Sequence, residues 1–110
     1  MIDWVRVQDL SDEIGSDAFG EVVELFLEEV DGEIDKLRHI SDRSELESQL
    51  HFLKGSALNL GFAAFSDLCH KGEMASATGQ QESVNIPEIL TCYDASKSVF
   101  LSELDSVIAA

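Results

Sequence analysis

The chain has 110 residues, enough for one domain built around a single modest core. Its hydrophobic fraction of 45% argues against disorder, and one proline with seven glycines is too few for the many turns of an all-β fold. A net charge of −15, from 22 acidic and 7 basic residues, argues against nucleic acid and anionic membranes as partners and leaves proteins or small ligands.

The first predicted element runs from Trp4 to Ile14, where Val7, Leu10 and Ile14 recur at spacings of three and four and Gly15 stops the helix. Ser16 then caps a longer helix. Its stripe of Phe19, Val22, Val23, Phe26, Leu27, Val30, Ile34, Leu37 and Ile40 is unbroken, with glutamates between. Ser41 to Ser44 is a turn, and Ser44 with Glu47 matches a capping box for the third helix. There Leu46, Leu50, Leu53, Ala57 and Leu60 point inward, and Gly61 ends the helix. A fourth helix spans Phe62 to Thr78 with Phe65, Leu68, Cys69 and Gly72 inward, followed by a loop from Gly79 to Ser83. Asn85 and Pro87 suit the first turn of a fifth helix. Its inward positions are Ile86, Leu90, Tyr93, Phe100, Leu104 and Val107, with Lys97 interrupting the seam.

Four amphipathic helices with short connections bury their stripes most simply as an all-α, up-and-down antiparallel four-helix bundle, with the short first helix as an addition at one end. No repeat or linker divides the chain, so residues 1–110 are expected to form one domain. Because Met1 leads directly into it, a stand-alone protein is expected. No secretory leader, CxxC pair or membrane-length apolar run is visible. Cys69 and Cys92 are therefore expected as reduced, buried thiols of a cytoplasmic protein.

Charge is uneven along the chain. Residues 1–50 hold 15 acids and 4 bases, whereas between His51 and Gly72 only Asp67 opposes Lys54 and Lys71. At about 100° per residue, His51 lies roughly 140° from the centre of the apolar stripe, on the solvent side. Gly55 is one turn on, where a helical glycine costs roughly 0.5–1 kcal/mol relative to alanine and so calls for a reason. Leaving a close approach to the imidazole for another protein is such a reason. Lys54 flanks the same spot with a mobile positive charge. Leu58, two turns from His51, offers an apolar contact, and Phe62 is assigned to the same outward patch.

The run from His51 to Gly61, HFLKGSALNLG, resembles the signature H-x-L-K-G-S-A-x-x-L-G of histidine phosphotransfer (HPt) domains at every defined position. Phe26-Leu27 in an acidic helix, and Leu68-Cys69 followed by Glu73, also resemble the family pattern, which covers roughly residues 7–108. Met74 to Ala77 depart from it, being small and uncharged where relatives often carry polar or basic residues. The resemblance implies that His51 is a phosphoacceptor and that Lys54 steadies the phosphoryl oxygens. Gly55 would give the partner clearance, with Leu58 and Phe62 as docking contacts. It also implies phosphoryl relay between receiver-domain aspartates, or from a sensor or hybrid histidine kinase to a response regulator. No cofactor is expected in this chain, since the Mg²⁺ of the reaction would belong to the receiver.

No nucleotide-binding loop is present, so a phosphocarrier without ATP chemistry is expected rather than a kinase. The alternative is a non-catalytic adaptor of the same fold that binds a receiver without transfer, although it would have little reason to keep His51, Lys54 and Gly55 together. No metal site is expected. Glu47 with His51, and His70 with Glu73, have the wrong spacing for a di-iron bundle. Glu47 is assigned as a cap glutamate that also influences the imidazole, and His39 and His70 as surface residues.

Overall fold

Each apolar stripe becomes a helix: α1 (Trp4–Ile14), α2 (Ser16–Arg38), α3 (Leu46–Leu60), α4 (Ala63–Ala77) and α5 (Ile86–Ile108), with one 3-10 turn at Gln81–Ser83. The computed structural model describes residues 1–108, and the side chains of all of these except Asp105, Val107 and Ile108. Val107, expected inward, thus lies outside the described side chains. No described residue belongs to a β-strand, although Ile2 and Phe62 meet in one isolated antiparallel bridge. None of the described helices is long and apolar enough to cross a membrane.

Helices α2 to α5 pack in chain order, and α5 closes on α2. This is the expected up-and-down antiparallel bundle, with α1 laid against α2, α3 and α5. The inward positions assigned to α1, α2, α3 and α4 are buried or half-buried, among them Leu46, Leu50 and Leu53 without measurable exposure. Aromatic rings fill one part of the core. Trp4 stacks on Phe100 with centroids 5.9 Å apart, and Phe62 lies 5.2 Å from Phe100. Tyr93 packs against Phe65 at 5.1 Å.

The interruption at Lys97 has a local solution. Its ammonium lies 2.7 Å from Asp31 of α2, and the buried Tyr93 hydroxyl donates to the same carboxylate. Burial, and after it Asp31, pushes the Tyr93 phenol up and keeps it protonated. The charged tip of Lys97 is thus satisfied by α2.

Helix ends depart from expectation in three places. Helix α2 starts at Ser16 with Gly15 preceding it, so Ser16 is not the cap, and it stops at Arg38. The capping box of Ser44 and Glu47 does not form, because α3 begins at Leu46 after Glu45 and has no side-chain cap. Phe62, expected to face outward, is 1% exposed and sits in the core. Its outward assignment extends the rotation of α3 past the helix end. Gly61 is left-handed (φ 77°), which breaks that rotation and turns Phe62 inward ahead of α4.

The α3–α4 reversal is strapped by the N-terminus. Asp3 N–H donates to the Gly61 carbonyl at 2.7 Å, and Ala64 N–H donates to the Met1 carbonyl at 3.3 Å. At the opposite end, Arg43 donates to the carbonyls of Gln81 and Val84, tying the α2–α3 connection to the α4–α5 connection.

Two glycines separate strain from contact. Gly61 and Gly79 both have φ near +80°, but a Cβ on Gly61 would meet the Asp3 carbonyl oxygen at 2.6 Å, whereas one on Gly79 meets nothing within 4 Å. Gly79→Ala should cost about 1–2 kcal/mol, the left-handed penalty alone. Gly61→Ala should cost about 1 kcal/mol more, because the strap must also move. Urea midpoints of the two variants test this, and equal losses would mean that the strap yields freely.

Candidate functional site

The buried leucines of α3 set its rotation, and that rotation puts His51 in solvent with its side chain 69% exposed. Gly55 is exposed one turn on, and a Cβ there would meet nothing within 4 Å. No intramolecular crowding explains this glycine. Leu58 is exposed farther along, and Phe52, which was assigned to no site, is exposed beside His51.

Small residues let α4 come close to α3. Ser56 and Ala57 are buried on α3, and Ser66 and Gly72 on α4. A Cβ on Gly72 would stand 2.6 Å from Leu50 Cδ1, so any larger residue here would make the Leu50 side chain shift. The next residue, Glu73, is thereby delivered to the exposed edge of α3. Its Oε2 lies 2.8 Å from His51 Nδ1, and its Oε1 lies 2.7 Å from Lys54 Nζ.

The carboxylate of Glu73 is only 15% exposed, and Lys54 only 22%. The paired Lys54 ammonium, and after it the hydrogen bond from His51, holds the Glu73 carboxyl below the ordinary carboxylate range despite some loss of hydration. Since an ionised carboxylate only accepts, His51 Nδ1 must carry a proton and donate. In the neutral ring this leaves Nε2 with its lone pair. Glu73 therefore selects one tautomer of an exposed imidazole, the one with a lone pair on Nε2.

The site differs from expectation in three residues. Lys54 is not a freely mobile charge, because Glu73 tethers it. Glu47 is exposed and shares with His51 and Glu73 an open hollow of about 550 Å³, also lined by Ser44, Glu45 and Ser48, but it makes no hydrogen bond to the ring. Phe62 is withdrawn from the exposed patch by its burial. Glu73 carried a family-like spacing in the sequence, yet nothing local linked it to a histidine 22 positions away.

Among the described residues, no group of three or more His, Cys, Asp or Glu side chains is placed to hold a metal ion. Both cysteines are free. Burial, then Cys92 and Glu73, pushes the Cys69 thiol up to about 12, which removes it as a nucleophile.

The family model described as Hpt domain matches residues 21–109. No curated protein and no solved structure matches the chain.

The depressed Glu73 carboxyl predicts a pH dependence of stability. Its folded value lies below the ordinary 4.5, so its stabilisation is complete above 4.5 and fades as pH falls through the folded value. Glu73→Gln lacks this contribution. The stability gap between wild type and Glu73→Gln should therefore be full above pH 4.5 and shrink as pH falls below it. Urea unfolding from about pH 7 to about pH 3 measures it, and a constant gap would show that the ionised carboxylate is not specially held.

Proposed function

The chain belongs to the Hpt-domain family, and from that premise we propose that it carries a phosphoryl group on Nε2 of His51 between a receiver-domain aspartate and a second two-component partner. The observation that carries this reading is the His51–Glu73–Lys54 arrangement on an exposed helix face, with Gly55 leaving open space beside it.

The transfer follows from the tautomer. Nε2 attacks the phosphorus of an aspartyl phosphate in line. The N–P bond forms while the P–O bond to the donor breaks, and the donor carboxylate leaves. The ring gains positive charge as it is phosphorylated, and the Glu73 carboxylate meets that charge through Nδ1–H. In the reverse step a receiver carboxylate forms the new P–O bond as the Nε2–P bond breaks, and the ring leaves as neutral imidazole with the proton still on Nδ1. Such a reaction needs positioning and charge balance more than a deep pocket, which suits a residue on an open surface.

Lys54 supplies positive charge beside the ring for the phosphoryl oxygens, held in place by Glu73. Gly55 gives the partner's backbone room to approach, and Leu58 contributes apolar contact with the receiver. Magnesium belongs to the receiver in this scheme. With no nucleotide-binding loop in its sequence, the chain acts as a carrier and as a substrate of other enzymes. Residues 1–110 are taken to act as one such unit, working in the cytoplasm with a receiver domain and a sensor or hybrid kinase.

Incubation with phosphorylated receiver domains of the same organism tests the reading. Label should be acid-labile and base-stable, as expected of a phosphoramidate, and His51→Gln should abolish it with little loss of stability because the side chain is exposed. Label persisting in that variant, on His39 or His70, would sink the assignment. Receiver binding without any label on the wild type would make the chain an adaptor instead.

Gly55 separates helix stability from clearance. Gly55→Ala should stabilise the protein by about 0.4–1 kcal/mol. Gly55→Gln should slow transfer sharply with the fold intact, measured by rapid quench and circular dichroism. Transfer by Gly55→Gln at the native rate would leave the glycine without this explanation.

A further inference from the structure

Helix α2 has a face that the bundle does not use. At about 100° per residue, Glu21, Leu25, Glu28, Glu29 and Gly32 fall along one side of it, and all five are exposed. Leu25 is 62% exposed, more than Leu58 on the histidine face. With the half-buried Val22 and Phe26 it walls a shallow groove, and with Gly32 it continues into a second of about 400 Å³.

Gly32 poses the same question as Gly55. It lies inside a long helix, where glycine is a poor choice relative to alanine, and a Cβ on it would meet nothing within 4 Å. The fold does not require it. A glycine next to an exposed leucine leaves a notch in which another backbone can lie close to the helix.

Charge decides what kind of backbone. Among the described residues, Glu21, Glu28 and Glu29 take part in no ion pair. Farther along, Lys36 is neutralised by Glu33 at 3.0 Å. A second copy of this chain would bring like charges together on this face and be repelled. A cationic helix with one apolar side satisfies the leucine, the notch and the glutamates together.

We propose that this face of α2 docks a basic amphipathic helix of a partner protein, with an apolar anchor against Leu25 and its backbone over Gly32. The inference does not depend on phosphoryl transfer. Helix α2 packs on α3 and α5 and stands diagonally across the bundle from α4, which carries Glu73. The residues that wall the two grooves on α2 share none with the hollow at His51, so the docking face is separate from that site.

The test is a titration of ¹⁵N-labelled full chain with a Leu/Lys amphipathic helical peptide of about five turns, and with its Leu/Glu counterpart. Amide shifts should be confined to residues 21–36 with the cationic peptide and absent with the anionic one. Leu25→Ser and Gly32→Gln, both surface changes whose folding is checked by circular dichroism, should each weaken binding about tenfold or more. Shifts spread over the acidic surface, or affinity indifferent to both substitutions, would reduce the effect to generic charge attraction and overturn the proposal. Self-association through Leu25 in sedimentation would overturn it in favour of a second copy.

Discussion

Both oxygens of the Glu73 carboxylate are taken by cationic or proton-bearing partners from another helix, His51 on one side and Lys54 on the other. Much of the architecture can be traced from this contact. It requires α3 and α4 to run antiparallel and nearly in touch, which the small residues Ser56, Ala57, Ser66 and Gly72 permit. It also requires a fixed turn between them. Gly61 makes that turn in a left-handed conformation, and the N-terminal strap holds it by backbone hydrogen bonds. The bundle thus places a carboxylate where it governs the proton of a ring that is itself in solvent.

Most of the fold was legible in the sequence because the apolar stripes of α2 and α3 leave one rotation for each helix. Termini were less legible. Capping depends on the path of the chain before the helix, so Ser44 with Glu47 had the residue types of a capping box without its geometry. The face of α3 that holds His51 and Gly55 was equally legible, since exposure follows directly from the buried leucines. The electrostatics were not. Periodicity relates residues along one helix, and it made Glu47 the natural neighbour of the ring. Glu73 reaches the ring across a helix pair, which no local spacing encodes. Phe62 failed for the complementary reason, because helical periodicity says nothing beyond a left-handed residue. Lys97 looked like a defect in α5 only until Asp31 of α2 was placed opposite it.

The acidity of the chain is distributed in a way that bears on recognition. Acid is concentrated in the first 50 residues, and the glutamates beside Leu25 belong to that region. Around His51 and Lys54 the one carboxylate in contact is neutralised within the site, leaving Gly55 and Leu58 as an approach of low charge. Two kinds of surface therefore coexist on one small bundle, one of low charge and the other acidic.

Gly72 joins the dry side of the molecule to the wet side. Its Cα hydrogen faces Leu50 in the core, while the residue immediately after it touches the imidazole. A helix is stiff over one residue, so a sideways displacement of α4 at the core contact also moves the Cα from which the Glu73 side chain extends. A hydrogen bond of 2.8 Å tolerates only a few tenths of an ångström before it weakens. The contact of the exposed ring with Glu73 thus depends on packing against a buried leucine, and a substitution hidden from every partner can alter that contact while the surface around it looks unchanged.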